Sequence, residues 1–313
     1  MHSLKPITLD LKPAVDRLFE IENSRSADFC FGNVYMWDKR FKQSVTLCGD
    51  RLVTLLHRKS ELFFAFPVGS GDIRPSFEFM QSICDRNALP LRICGVCEEH
   101  LPLINEAYPD EFEVTEDRDF SDYIYEIDKL AEYPGRHLHA KRNYCNRFEA
   151  EHEWSFEPIT AERLPDCLDM LDKWMRQSQD RLTDDIGFEH DAIVRGFESF
   201  DKLGLEGGML IADGRLVGFT VGEVINSDTF CTHFEKAYTD IDGAYTMLCR
   251  EMARTVMAKH PDVRYVNRED DMGNPALRTS KLSYKPEEIL IKYIVDTHKI
   301  HRKVKMICIT QSI

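Results

Sequence analysis

The residues best suited to acid–base chemistry lie on two neighbouring predicted strands in the second half of the chain. In the segment CTHFEKAY, strict alternation would place His233 and Glu235 on one face of a strand and Thr232 on the other. Glu223, in the preceding segment GFTVGEVI, could point into the same cleft. A histidine beside a carboxylate can work as a general base with an orienting partner. The polar side of a solvent-facing antiparallel strand has the same pattern, so both interpretations stay open.

A second cluster of polar residues, NREDD at 267–271, follows the short apolar segment VRYV. In open α/β sheets, ligands usually bind beyond the carboxyl ends of the central strands. Asn267 and Glu269 are therefore candidate site residues. Partial burial there would raise a carboxyl pKa toward the working pH, where the group can accept a proton from an attacking amine.

The composition limits the possible partners and the location of the protein. Its 313 residues include 40 Lys and Arg against 54 Asp and Glu, a net charge of −14. An acidic chain of this kind does not coat nucleic acid or anionic membrane with its whole surface. No segment approaches the roughly 18 consecutive apolar residues of a membrane span, and the first residues do not resemble a signal peptide. The sequence predicts a soluble, cytoplasmic protein.

The chain contains 10 cysteines, and Cys94 and Cys97 form its CxxC pair. No second such pair, and no pair of histidines at zinc spacing, accompanies it. This pattern favours reduced cysteines that pack as small apolar residues, and no metal site is expected.

An internal repeat indicates the domain organisation. The segments LCGDRLVTLL and IADGRLVGFT align at Arg51 and Arg215, and each has the Gly and Asp turn of a β-hairpin. Each is followed by a strand, a helix, a strand, a second helix and a final strand. We therefore predict a tandem duplication of an α/β (α+β) domain, each copy with a mixed central sheet flanked by helices. The predicted parts are an N-terminal domain at 1–130, a basic helical connector at 131–153, a C-terminal domain at 154–300 and a basic tail at 301–313.

This order of elements resembles the GNAT acyltransferase fold, and its duplication resembles two groups of tandem proteins. These are the Fem-type peptidoglycan aminoacyltransferases and the C-terminal domain of phosphatidylglycerol lysyltransferase, including uncharacterised bacterial proteins grouped with the latter. Three segments carry the resemblance: PGRHLHAKRNYCNRF, KAYTDIDGAYTMLCREMA and VNREDDMGNPALRTSKLSYKP.

The resemblance implies transfer of an activated acyl group from an aminoacyl-tRNA or acyl-CoA onto an amine or hydroxyl. By the same resemblance Tyr284, at the end of the predicted helix PALRTSKLSY, is a candidate general acid, although it could equally close that helix against the core. The alternative function is a non-catalytic binding protein, built on a degenerate GNAT scaffold, that holds an anionic ligand.

The resemblance also bears on the donor. GNAT enzymes bind the CoA pyrophosphate on a glycine-rich helix start, where backbone N–H groups face the phosphates. Here that place reads TDIDGAYT, in which Gly243 and Ala244 fit loosely, whereas Asp240 and Asp242 would repel a pyrophosphate. Asp242 also suits an N-cap. Acetyl-CoA is therefore disfavoured as the donor.

The most basic segment of this acidic chain is GRHLHAKRNYCNR, which contains Lys141, Arg142 and Arg147. Such a segment can bind phosphates of a tRNA acceptor arm, of CoA or of a lipid head group. It could also be a solvated helix whose charges pair with the acids that follow it.

Overall fold

The computed structural model describes residues 3–177 and 184–297. These residues form two compact units. Unit 1 contains the described parts of Met1–Glu22, Arg40–Ser121 and Leu290–Ile313, and unit 2 contains those of Asn23–Lys39 and Asp122–Ile289. The predicted tail at 301–313 lies outside the described residues.

The described residues include strands of 2 to 10 residues and helices of 4 to 16 residues. The strands are β1 Lys5–Pro6, β2 Ser44–Cys48, β3 Arg51–Arg58, β4 Glu61–Ala65, β5 Val68–Gly69, β6 Arg92–Cys97, β7 Glu113–Glu116, β8 Asp122–Glu126, β9 Trp154–Pro158, β10 Glu206–Ala212, β11 Arg215–Val224, β12 Thr229–Ala237, β13 Tyr265–Asn267, β14 Glu288–Leu290 and β15 Lys292–Asp296. The helices are α1 Lys12–Glu22, α2 Phe31–Met36, α3 Asp38–Phe41, α4 Arg74–Arg86, α5 Leu101–Ala107, α6 Ile127–Glu132, α7 His139–Glu151, α8 Leu164–Gln177, α9 Asp184–Glu198, α10 Phe200–Leu203, α11 Ala244–Lys259 and α12 Pro275–Ser283.

The sheet of unit 1 has the strand order β1-β2-β3-β4-β6-β15-β7, with β5 paired to β3. Strands β2 and β3 form the predicted hairpin, closed by Cys48 opposite Arg51. Strands β4 and β6 run parallel, and their side chains Phe64 and Ile93 are completely buried. The hairpin, the parallel pair of strands and the helix α4 between β4 and β6 agree with the prediction from the repeat.

The sheet of unit 2 has the order β9-β10-β11-β12-β13-β8-β14. The second predicted hairpin is β10 and β11, closed by Ala212 opposite Arg215. Strands β12 and β13 run parallel and pair only from Thr229 to Cys231 along β12. Beyond this point the two strands part, because β13 ends at Asn267 while β12 continues to Ala237. The predicted class, two mixed sheets flanked by helices, is confirmed.

The two sheets have the same strand order, but each contains one strand from the other half of the sequence. The sixth place is held by β15 in unit 1 and by β8 in unit 2. The last strand of each predicted domain has thus been exchanged. The compact units therefore differ from the predicted boundaries: residues 122–130 belong to unit 2, and Lys292–Asp296 belongs to unit 1.

A β-bulge interrupts β12. Val221 pairs with Phe234 and Gly222 pairs with Thr232, so His233 is an additional residue opposite β11. Past the bulge the alternation is reversed, and Glu235 lines the same small cavity as Thr232. The prediction that His233 and Glu235 share a face is therefore wrong, because strict alternation does not survive an inserted residue.

A buried asparagine fixes the turn that follows β13. The Asn267 amide nitrogen donates to the Arg25 carbonyl at 2.7 Å and to Asp122 Oδ2 at 2.9 Å. Its amide oxygen accepts from the Glu269 N–H at 2.6 Å. Glu269 has a left-handed backbone, with φ of 56°. Asn267 thus stabilises a turn that contains an unfavourable backbone conformation. Both of its amide N–H donors are used within the protein and none remains for a ligand, which argues for a structural role.

We expect Asn267→Ala to lower the free energy of unfolding by about 2–4 kcal/mol, because it removes the hydrogen bonds of the buried side chain to the Arg25 carbonyl, the Asp122 carboxylate and the Glu269 N–H. Chemical denaturation measures this. Asn143→Ala, at an exposed position of α7, is the matched control and should change stability by no more than about 0.5 kcal/mol. Equal effects of the two variants would contradict the assigned role.

Candidate functional site

Two polar clusters lie in unit 2, on opposite sides of the bulge in β12. The first, the histidine cluster, consists of Cys30, Glu223, Cys231, His233 and Glu269. His233 Nδ1 lies 2.7 Å from Glu269 Oε1, and Nε2 lies 3.1 Å from Glu223 Oε1. Cys231 Sγ is 3.7 Å from Nδ1. The His233 side chain is 0% exposed.

The distances in the histidine cluster constrain its protonation. A neutral imidazole has a single N–H, whereas both ring nitrogens of His233 face a carboxylate oxygen. Burial alone would lower the His233 pKa, but the Cys231 and Cys30 sulfur atoms and the Glu223 carboxylate outweigh it, and the pKa is raised well above its ordinary value. An imidazolium can donate to both carboxylates. The cluster then has two carboxylates against one cation.

A glycine provides the space for one of these carboxylates. A Cβ added to Gly32 in α2 would overlap Glu223 Oε1. Glu223 therefore reaches the ring of His233 only because residue 32 has no side chain. The backbone of Gly32 is not in the left-handed region, so close approach explains this glycine rather than backbone conformation.

The second group, the arginine cluster, consists of Lys141, Glu235, Arg268 and Tyr284. Arg268 Nε donates to Glu235 Oε2 at 3.0 Å, and a second nitrogen, Nη2, donates to the same oxygen. Both cations lie over the ring of Tyr284, Lys141 Nζ at 3.5 Å and Arg268 Cζ at 4.5 Å from its centroid. These residues occupy the gap where β12 and β13 part.

One nitrogen of Arg268 has a hydrogen-bonding capacity that the described residues do not use. Its Nη1 is buried and makes no hydrogen bond within the described part of the chain. Arg268 and Glu235 line a cavity of about 10 Å³, with room for one water molecule at most. The arginine cluster therefore combines two cations, one carboxylate and an unused N–H donor in a largely closed gap.

Burial shifts the ionisation of two members of the arginine cluster. Desolvation and the nearby Arg268 charge lower the pKa of Lys141 to about 8. Burial raises the pKa of Tyr284, so its hydroxyl is protonated at neutral pH and can donate. Lys141 is therefore the member of the cluster that exchanges a proton most readily near physiological pH.

The basic segment does not form an open patch from its three candidate residues. Lys141 lies over Tyr284. Arg142 donates to the carbonyls of Tyr133 and Gly135. Arg147 pairs with Asp242, before α11, at 2.6 Å, and not with the acids that directly follow the segment, which are the partners that the solvated-helix alternative predicts. Binding of an anionic partner by this segment stays a prediction.

The start of α11 differs from a phosphate-binding loop. Gly243 is the N-cap, with φ of 84°, and the next residue, Ala244, is buried. A Cβ at Gly243 would come within 2.8 Å of the Tyr144 carbonyl of α7. Helix α7 therefore approaches the backbone closely at Gly243, one of the positions where the GNAT resemblance puts a pyrophosphate.

Two residues of these clusters were missed by the sequence analysis. Arg268 lies inside the NREDD segment, but the sequence favoured an acidic neighbour as the candidate, because carboxylates are common general bases. Arg268 lies where β12 and β13 part, and no local sequence pattern reveals where the two strands part. Cys30 is far from the cluster in sequence and reaches it through the fold.

The comparisons with known proteins agree with this architecture. Residues 19–296 match the family described as phosphatidylglycerol lysyltransferase, C-terminal. The chain therefore belongs to this family, as the resemblance predicted.

A conserved protein of unknown function from Bacteroides thetaiotaomicron has a similar solved structure, with a TM-score of 0.89, 34% identity and coverage of 95% of this chain and 99% of that one. L-PGS from Bacillus licheniformis is similar at a TM-score of 0.60, with 15% identity over 90% and 91% of the two chains.

Two other solved structures are similar in fold. A tandem GNAT protein from the clavulanic acid biosynthesis pathway has a TM-score of 0.50, with 12% identity over 95% of this chain and 99% of that one. FemX has a TM-score of 0.59, with 9% identity over 93% and 96%. The tandem GNAT-like fold and the likeness to Fem-type proteins are thus confirmed.

An uncharacterized protein of Mycoplasmoides gallisepticum is 26% identical over 181 residues, which is 56% of its length and of this chain. Within the described residues, no helix has the length and apolar character that crossing a membrane requires.

We expect Gly32→Ala to displace the Glu223 carboxylate and to lower the free energy of unfolding by about 1–3 kcal/mol through overpacking. In a Glu223→Ala background the same change should have a much smaller effect, since the clashing group is gone. Denaturation of the four proteins in this double-mutant cycle measures it. Gly187→Ala, in α9 with open space around its Cβ, is the control. Additive effects at Gly32 and Glu223 would contradict the close approach.

We expect Lys141 to titrate at about pH 8 in the folded protein. Because its pKa is lower in the folded than in the unfolded state, folding stability should rise with pH between about 8 and 10.5. NMR of methylated lysines measures the titration, and Lys141→Met should remove the assigned signal. Lys202→Met, at an exposed position of α10, should leave that signal in place. A midpoint near 10.5 would show that the lysine is not desolvated.

Proposed function

We propose that the protein is an acyl- or aminoacyltransferase whose reaction centre is the arginine cluster. The observation that carries the proposal is the convergence of Lys141, Glu235 and Arg268 where the two parallel central strands part. Family membership supports the general class, because the family description is that of a lysyltransferase domain.

The chemistry follows from the groups present. An acceptor amine or hydroxyl attacks the carbonyl carbon of the donor, the carbon–oxygen or carbon–sulfur bond to the carrier breaks, and the carrier leaves with a proton. Arg268 Nη1, which has no hydrogen-bond partner among residues 3–177 and 184–297, would hydrogen-bond the oxyanion that forms on the carbonyl. Lys141, with a pKa of about 8, would accept the proton of the acceptor. Glu235 would hold Arg268 in position.

An aminoacyl-tRNA suits this centre better than acyl-CoA as the donor. Helix α7 approaches Gly243 closely at the start of α11, and Asp242 adds a negative charge at that place, paired with Arg147. Both features oppose a bound pyrophosphate. The basic segment also exposes Arg136, His137 and His139, which suit the phosphates of a tRNA acceptor arm.

A non-catalytic function has one specific observation in its favour. The gap between β12 and β13 is nearly filled, since the cavity there is about 10 Å³. A gap that admits one water molecule at most does not hold an acyl donor and an acceptor together. Turnover distinguishes the two functions, because a binding protein would retain the ligand unchanged.

The test is a transfer assay with labelled aminoacyl-tRNAs and acyl-CoAs as donors, and with phosphatidylglycerol vesicles and free amines as acceptors. We expect turnover with an aminoacyl-tRNA. Lys141→Met should reduce it by about 10²-fold to 10⁴-fold, as expected for loss of a proton acceptor. Arg268→Gln should reduce it by about 10²-fold to 10³-fold, as for loss of an oxyanion donor. Far-ultraviolet circular dichroism verifies folding.

Two variants test the location of the centre. Glu235→Gln should reduce turnover far more than Glu269→Gln, because Glu235 belongs to the arginine cluster and Glu269 to the opposite face. Arg254→Gln, a half-exposed arginine of α11, is the control and should keep full turnover. Ligand binding without turnover for any donor would favour the binding protein, and loss of turnover only in Glu269→Gln would move the centre to the histidine cluster.

A further inference from the structure

The histidine cluster has the composition of a metal site. Cys30, Glu223 and His233 are all buried, and one ligand atom of each lies within 4.8 Å of the other two. They come from three separate elements, the N-cap of α2 and strands β11 and β12. The fold thus brings together a sulfur, a carboxylate oxygen and an imidazole nitrogen, which are the ligand types that zinc uses.

The spacing of the ligand atoms suits a tetrahedral ion. Bonds of roughly 2.0–2.3 Å put ligand atoms of a tetrahedral zinc roughly 3.4–3.6 Å apart. Glu223 Oε1 and His233 Nε2 are 3.1 Å apart, and no pair of the three atoms exceeds 4.8 Å. Side-chain movements of about 1 Å would therefore complete the geometry even from the widest separation, and a fourth position would remain for water.

The remaining carboxylate occupies the supporting position. A metal-bound histidine usually donates its other ring N–H to a carboxylate, which fixes the orientation of the ring. Glu269 Oε1 lies 2.7 Å from His233 Nδ1. The Glu269 backbone is itself held by Asn267 at 2.6 Å. The partner of the imidazole is therefore fixed by the buried turn after β13.

The charge of the cluster favours a cation. Two carboxylates lie beside a single imidazole in a buried site, and a buried excess of negative charge is unfavourable unless a cation compensates it. A thiol must lose its proton when a metal binds, so Cys30 would add a further negative charge for the ion to compensate.

We propose that Cys30 Sγ, Glu223 Oε1 and His233 Nε2 bind one Zn²⁺ ion, with Glu269 accepting a hydrogen bond from His233 Nδ1. Binding converts the Cys30 thiol to a thiolate and leaves His233 neutral. The ligand atoms must be deprotonated to bind the ion, so binding releases protons to solvent. This site is independent of the proposed transfer reaction, whose residues lie on the other face of the sheet.

The experiment uses the full chain, stripped with a chelator and titrated with Co²⁺ as a spectroscopic substitute for Zn²⁺. We expect one Co²⁺ to bind per chain, with a sulfur-to-cobalt charge-transfer band in the near ultraviolet that added Zn²⁺ removes. Zn²⁺ should also raise the thermal midpoint, because it binds the folded state. Absence of stoichiometric binding, or binding without a charge-transfer band, would overturn the proposal.

The cysteine variants give the experiment its specificity. Cys30→Ser should lose the charge-transfer band, whereas Cys167→Ser, a buried cysteine of α8, should keep it. Glu269→Gln should keep the band and weaken metal affinity by about 10-fold to 100-fold, as expected for a supporting partner. If Cys30→Ser does not fold, the charge-transfer band of Cys30→Ala and the metal affinity of Glu269→Gln test the proposal in its place. An unchanged band without Cys30, or unchanged affinity in Glu269→Gln, would contradict the assigned ligands.

Discussion

One additional residue in β12 determines what each face of the sheet in unit 2 contains. Because His233 has no partner of its own on β11, the side chains before and after it exchange faces. His233 joins Cys231 on one face, and Glu235 joins Thr232 on the other. A strand without the bulge would place both ionisable residues in one crowded site.

The separation gives the two faces opposite charge. The face with His233 has an excess of carboxylate, and the face with Arg268 has an excess of cation. Because each excess charge is buried, water screens it weakly. Each face of the sheet therefore favours ligands of the opposite charge. The sharp turn at Glu269 allows consecutive residues, Arg268 and Glu269, to serve opposite faces, and Asn267 maintains that turn.

The sequence was sufficient for the fold because the repeat preserved turn chemistry and periodicity. The turns at Gly49–Asp50 and Asp213–Gly214 close the expected hairpins, and the long amphipathic helices α4 and α11 lie where the spacing of apolar residues puts them. These features depend on neighbouring residues in the chain.

The candidate site was predicted only in part, because its decisive features are not local. The segments around His233 and Glu269 were identified, and these two residues do meet. The bulge that separates His233 from Glu235 leaves no trace in the spacing of residues, and the approach of Cys30 and Gly32 depends on the path of a distant segment. The exchange of β8 and β15 was missed for the same reason. An apolar strand can take the same position in either sheet, so its own sequence does not show which sheet it joins.

The exchanged strands affect the order in which the chain can fold during synthesis. Unit 1 has all of its sheet except β15 once β7 has left the ribosome, yet β15 lies between β6 and β7. Strands β6 and β7 can pair with β15 only after this strand, which follows nearly all of unit 2 in the sequence, has been synthesised. Until then their inner edges expose unpaired backbone groups, which are open to pairing with other chains. Unit 2, by contrast, has its exchanged strand β8 before most of its own sheet is made. Because it also contains residues 23–39, we infer that unit 2 completes its fold first and that unit 1 closes last.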